Sequence, residues 1–293
     1  MSDRFDVGRV CDGSQMLGES PVWSLREQAL YWVDLRAPCL LRLDPVSRAL
    51  SQWPMPALIG AVVPGARGDL FVALADGVHR FDPRTGATTA LFAPEPASAG
   101  NRLNETKADR CGRLWTSTMR DFGAAVTGAL YRVTSPGDVA RMISRVCVPN
   151  GLAWSPDDRT MYFADTRDGA IRAYAFARAT GMLGDMHVVV DPQRLPGRPD
   201  GATVDADGCL WSARYGGGCV ARITPSGRVD RVIGLPVTNV TSCAFGDADL
   251  RTLYITTARQ KLTEAQLARE PDAGALFAVR VDASGLPEPE CTL

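Results

Sequence analysis

The chain has 293 residues, is 45% hydrophobic and carries a formal net charge of −1, enough apolar material for a large core. A balance so near neutral leaves no electrostatic case for nucleic acid or an anionic membrane as a partner. No apolar stretch approaches the ~20 residues that span a bilayer, and the opening MSDRFDVGRV lacks the apolar core of a signal peptide.

Eight cysteines, at 11, 39, 111, 147, 209, 219, 243 and 291, include no Cys-x-x-Cys pair. Several lie inside apolar runs, so they are expected to be reduced packing residues of a cytoplasmic protein. The only histidines, His79 and His187, fall in expected outer strands. A His-rich zinc site or a Ser-His-Asp triad is therefore hard to assemble.

Residues 5–10 read as a lone strand ahead of the first repeat. From residue 19 onward one unit recurs, an apolar run, a tight turn and a second apolar run. The copies are 19–32 (ESPVWSLREQALYW), 59–71 (IGAVVPGARGDLF), 104–115 (NETKADRCGRLW), the stretch 148–165 (VPNGLAWSPDDRTMYFAD), 200–211 (DGATVDADGCLW) and 241–254 (TSCAFGDADLRTLY). Short apolar runs bounded by turn residues are strands, and six copies spaced about 40–50 residues apart match propeller blades. Behind each copy a Pro/Gly turn such as Asp82-Pro83-Arg84-Thr85-Gly86 joins two more runs. The expectation is an all-β, six-bladed propeller of four-stranded antiparallel blades, one domain over 1–293, with the N-terminal strand completing the last blade. The tryptophans at 23, 32, 115, 154 and 211 are expected at equivalent strand positions in the core.

Two segments depart from the plan. Residues 119–128 (MRDFGAAVTG) and 259–274 (RQKLTEAQLAREPDAG) are long connections at the same place in blades three and six, and 263–269 has helical character. Such insertions gather on one face, where binding sites are built. The glycines of Tyr215-Gly216-Gly217-Gly218 suit a tight turn or the close approach of a ligand.

The first positions of the copies are Glu19, Ile59, Asn104, Asn150, Asp200 and Thr241. Equivalent repeats place equivalent residues at one level around the axis, so two carboxylates and two carboxamides converge. Buried carboxylates are costly unless paired or bound to a cation, which points to a metal. Glu19, Asn150 and Asp200 offer only oxygens, suiting Ca2+, Mg2+ or Mn2+, with Zn2+ or Fe2+ admissible. Three protein ligands leave positions for water and substrate. The competing reading makes Asn150-Gly151 and Asp200-Gly201 plain turn dipeptides. Arg102 is the candidate for holding an oxygen-rich substrate, against a structural salt bridge to Glu105 or Asp109. Lys107 and Arg113 read as solvated strand and turn residues.

The segments 18–23 (GESPVW), 101–109 (NRLNETKAD), 112–119 (GRLWTSTM), 149–165, 198–211 (RPDGATVDADGCLW) and 250–259 (LRTLYITTAR) resemble the SMP-30/gluconolactonase/luciferin-regenerating-enzyme family, most closely bacterial sugar lactonases. The resemblance implies a six-bladed propeller with metal-dependent lactonase activity. It places metal ligands at Glu19, Asn150 and Asp200, substrate contacts at Arg102 and Asn104, and the general base at Asp200. Two departures border that site. Asn104-Glu105-Thr106 stands where the family has Asn-Asp-Gly, so Glu105 would reach further into the pocket, and Tyr215 replaces a tryptophan. The implied reaction is hydrolysis of an aldonolactone to its aldonic acid, and a near-neutral chain is compatible with an uncharged lactone. The alternatives are a non-catalytic Ca2+- or ligand-binding propeller and a phosphotriesterase-like hydrolase on the same oxygens. No feature of the sequence sets an oligomeric state.

Overall fold

The computed structural model describes residues 5–11, 14–190 and 192–293, without the side chains of Ser98 and Pro192. Each repeat forms a four-stranded antiparallel sheet, and six sheets stand in a ring as a six-bladed β-propeller. Blade one spans residues 18–54, blade two 59–92, blade three 102–146, blade four 149–190, blade five 198–234 and blade six 240–280. Blade six takes its outermost strand from the other end of the chain: Gly8–Cys11 pairs with Leu276–Arg280. That strand begins later than the 5–10 expected from sequence. Phe5 and Val7 instead pack against the cluster between blades five and six.

Burial explains the polarity of each blade. Strands such as Ile59–Pro64 and Leu70–Leu74 are buried at every residue, and strands covered on both faces read as continuous apolar runs. The fourth strands are largely exposed or half-buried, and Leu50–Pro54 alternates the two. The core is divided accordingly into six main clusters, one between each pair of neighbouring blades. Between blades three and four, Trp115, Trp154 and Phe176 meet edge to face with centroids 5.9–6.1 Å apart, contacts worth about 0.5–1.5 kcal/mol each beyond their buried area.

All five tryptophans expected in the core are buried, but they do not share one position. Trp115 and Trp211 are equivalent, opposite Lys107 and Thr203, whereas Trp23 and Trp154 close their inner strands opposite Leu30 and Met161. Trp32 lies elsewhere, opposite Leu41. Lys107 and Arg113 are not solvated residues either. Lys107 is half-buried with Nζ donating to Ala202 O at 2.8 Å, and Arg113 is buried against Asp109.

The first strand of every blade lines the central channel, and each carries a bulge: between Glu19 and Val22, Ile59 and Ala61, Leu103 and Thr106, Asn150 and Ala153, Pro199 and Ala202, and Val240 and Ser242. Bulges re-aim side chains and break strict alternation. The long connections after Met119 and Thr257 rise at this bulged end. The second contains a helix, Glu264–Arg269, started by a capping box between Thr263 and Gln266. At the opposite end the chain beyond Arg280 forms a strap. Ala206 N–H donates to Ser284 O (2.8 Å), Cys291 N–H to Pro64 O (2.8 Å) and Thr292 N–H to Gly112 O (3.0 Å). Residues 286–289 cross the channel mouth against Lys107, Ala153 and Thr203, leaving a void of about 30 Å³. All eight cysteines are free, and no helix of the described residues is long and apolar enough to cross a membrane.

Candidate functional site

Glu19, Asn104, Asn150 and Asp200 lie on the inner strands of blades one, three, four and five at the bulged end. Each stands at the same spacing before the residue that opens its tight turn (Ser24, Asp109, Ser155 and Asp205). Asn150-Gly151 and Asp200-Gly201 are not turn dipeptides, because both lie within strands. Gly151 adopts φ 63° at the bulge. Gly201 is required by proximity instead: a Cβ there would come within 2.0 Å of Ser242 Oγ in blade six.

The two carboxylates are poorly satisfied. Among the described residues the Asp200 side chain, 5% exposed, accepts no hydrogen bond. Glu19 accepts one, from the adjacent Ser20 N–H at 3.2 Å. Burial pushes Glu19 up to about 8, the nearby Glu105 charge adds to this, and the Ser20 N–H and Arg102 act against it. Burial likewise holds Asp200 well above the usual carboxylate range, reinforced by Glu19 and then Glu105, with Arg214 and Lys261 pulling the other way. Both acids therefore resist ionising alone, and a divalent cation between them would remove the conflict. The Asn150 amide donates to Thr166 Oγ1 at 2.8 Å, which turns its Oδ1 toward Asn104 Nδ2 at 3.3 Å. The donor set is all oxygen, which fits a hard or borderline divalent ion. Among the described residues no three His, Cys, Asp or Glu side chains could hold an ion by themselves.

Hydrogen bonds between the connections link most of the blades around this centre. Tyr215 OH donates to Gln260 O (3.2 Å), and Arg36 Nε to Gln260 Oε1 (2.8 Å). Arg36 Nη1 donates to Asp121 Oδ2 at 2.7 Å, and Arg102 Nε binds the other oxygen of Asp121. Arg102 Nη1 donates to Asn104 Oδ1 (2.8 Å), and Asn104 Nδ2 to Pro149 O (2.8 Å). Thr166 Oγ1 donates to Pro199 O at 2.7 Å, which reaches blade five. Arg102 thus has neither of the ion-pair partners considered from sequence: its partner is Asp121, while Asp109 serves Arg113 and Trp115. A cleft of about 320 Å³ lined by Asp76, Glu95, Asn101 and Thr118 abuts Arg102.

Glu105 stands apart from these bonds. It is pushed up to about 7 by burial, opposed by Lys107 and the Leu152 N–H and reinforced by Glu288. These neighbours place it lower in the channel, between the Glu19–Asp200 pair and the strap.

Sequence reading missed several groups at the site. Arg36, Asp121, Gln260 and Thr166 come from connections, where no repeat marks them, although Asp121 and Gln260 lie in the two segments singled out for length. Arg214 is 1% exposed and donates to Pro196 O and Gly197 O, each at 3.1 Å. Burial lowers it to about 10, against the charges of Cys219 and Asp200. Inside a strand it carries no sequence signal.

Comparison with known proteins places this arrangement. The chain is 39% identical over 276 residues to the 6-deoxy-6-sulfogluconolactonase of Pseudomonas putida, covering 94% of each. It is 35% identical to a pentonolactonase of Haloferax volcanii, covering 96% of this chain and 97% of that one. A crystal structure described as a calcium-binding protein, regucalcin, from Agrobacterium tumefaciens superposes with a TM-score of 0.94 at 27% identity, covering 99% and 98%. The family model described as SMP-30/Gluconolactonase/LRE-like region matches residues 17–259, and the chain belongs to that family.

Proposed function

We propose that this protein hydrolyses a sugar lactone to its aldonic acid, with a divalent cation held by Glu19, Asn150 and Asp200. The observation that carries the reading is the buried Asp200 carboxylate, which accepts no hydrogen bond among the described residues, beside Glu19. The relatives named for sulfogluconolactone and pentonolactone support the substrate class.

A divalent cation bound there supplies Lewis-acid stabilisation of the oxyanion that develops when the lactone carbonyl is attacked. Asp200 takes the proton from the attacking water and returns it to the ring oxygen as the carbon–oxygen bond breaks, so the products are an alcohol and a carboxylic acid. Arg102 and Asn104 orient the sugar hydroxyls. Asp121 and the Asn104–Pro149 bond hold both side chains in place beforehand, which lowers the ordering cost at the moment of binding.

A pH-stat assay with γ- and δ-aldonolactones tests the proposal. Acid release should exceed the spontaneous rate, stop with EDTA and return with a divalent ion. Similarity to the Agrobacterium protein described as calcium-binding favours one second reading, a binding-only role. Calcium binding with no acid release from any lactone would select it and sink the enzyme.

A further inference from the structure

Of the 32 basic residues only Lys107 and Lys261 are lysines, and both lie within reach of the channel carboxylates, Lys107 near Glu105 and Lys261 near Asp200. Lys107 is tied to Ala202 O. Lys261 is exposed and, among the described residues, has no hydrogen bond or ion pair for its ammonium. Its backbone is held at φ 65°, a conformation that L-residues other than Asn and Asp rarely adopt. The segment that imposes it is pinned. Gln260 N–H donates to Met16 O at 2.9 Å, and Gln260 O accepts from Tyr215 OH and from Asn239 Nδ2 (2.9 Å). Leu262 N–H closes the turn on Arg259 O at 3.1 Å. The Arg259 guanidinium is likewise without a carboxylate partner among the described residues. The fold fixes the backbone beneath the Lys261 ammonium, beside Asp200, and does not neutralise it.

Resting on the lactone reading, we propose that the substrate is a lactone bearing an anionic substituent, a sulfonate, phosphate or carboxylate, at the end of the sugar remote from the reacting carbonyl. Lys261 is its specificity-determining contact. The layout of charge fits such a ligand: of the cations near Asp200, Arg214 is buried and bonded to backbone carbonyls, whereas Lys261 is exposed and open to a ligand. A relative 39% identical is named for a lactone of this charge class.

The test compares kcat/KM for 6-deoxy-6-sulfogluconolactone, 6-phosphogluconolactone and a glucaric acid lactone with that for uncharged gluconolactone, in wild type, Lys261→Met and Lys261→Arg. Wild type should favour one of the anionic lactones, and the favoured one identifies the group. Lys261→Met should lower its anionic-to-neutral ratio by about tenfold or more, as expected for one charge-assisted hydrogen bond, and Lys261→Arg should retain most of the ratio. A wild-type preference for the neutral lactone, or an unchanged ratio in Lys261→Met, overturns the inference while leaving lactone hydrolysis standing. Acid release from none of the four lactones overturns both.

Discussion

Asp200 and Asp205 lie on the same length of chain in blade five, at opposite ends of the channel, and their surroundings differ completely. Asp205 is fully buried and saturated: it accepts from Trp211 Nε1 and Arg222 Nε, each at 2.8 Å, and from the Cys209 N–H at 2.9 Å. Asp109 in blade three repeats the pattern with Trp115, Arg113 and Cys111. At the bulged end Asp200 accepts nothing among the described residues and Glu19 only its neighbour's N–H. The same residue type therefore consolidates the blade at one end and is left unsatisfied at the other. Unsatisfied buried charge is a cost to folding that a bound cation and a substrate can offset.

The sharpest way to break this contrast is Asp200→Asn. With saturating cation, kcat should fall about 10²–10⁴-fold, roughly 3–5 kcal/mol of barrier, while the melting temperature of the metal-free protein holds or rises. Turnover restored by added metal would make Asp200 a ligand only. Asp205→Ala should do the reverse. Leaving Trp211 Nε1 and Arg222 Nε without their acceptor, while Arg222 keeps Asp207 and Asp230, costs about 1–3 kcal/mol of stability, measured by chemical denaturation, with turnover per folded molecule preserved. A loss of turnover without a loss of stability would put Asp205 in the functional half.

The metal-free protein should also carry a pH signature of the unsatisfied end. Glu19 keeps its proton to about 8 in the folded chain against an ordinary 4.5, so between these values the folded state binds more protons than the unfolded one. Stability therefore falls as pH rises through that window and levels off above it, with Glu105 and Asp200 acting in the same direction. Thermal melts from pH 5 to 8 should show this slope in EDTA and a flatter line with saturating cation; a metal-free slope of opposite sign would remove the argument. The smallest effect belongs to Glu105, between the two ends. Glu105→Asp should change the kcat/KM ratio between a pentono- and a hexonolactone by about threefold to tenfold, at most 1.4 kcal/mol. An unchanged ratio would assign Glu105 to the Lys107 and strap side alone.

The blades were legible because a repeat is a local pattern. Glu19, Asn104, Asn150 and Asp200 were legible because each stands at a fixed spacing before its turn. Glu105 was harder: alternation alone does not give its direction, since a bulge lies between Leu103 and Thr106. The ion pair of Arg102 with Asp121 and the bond of Arg36 to Gln260 join segments that meet only once the ring closes, so no spacing announces them. The net charge was uninformative for a related reason. A value of −1 averages over the whole surface, and a ligand meets the local field of the few groups around it.

The bulge has a consequence beyond aiming the present side chains. It recurs in all six inner strands, yet Ile59 is wholly buried in the core and Thr241 is bonded to Gly18 O at 2.6 Å. The scaffold thus repeats one bulged inner strand in every blade, with acids in blades one and five, amides in three and four, and no free polar group in the other two. In the proposed reading, moving an acid from one inner strand to another would re-aim the ligands offered to a cation while leaving every strand pairing in place. Ion preference and substrate orientation can then diverge by side-chain exchange alone, on an unchanged backbone.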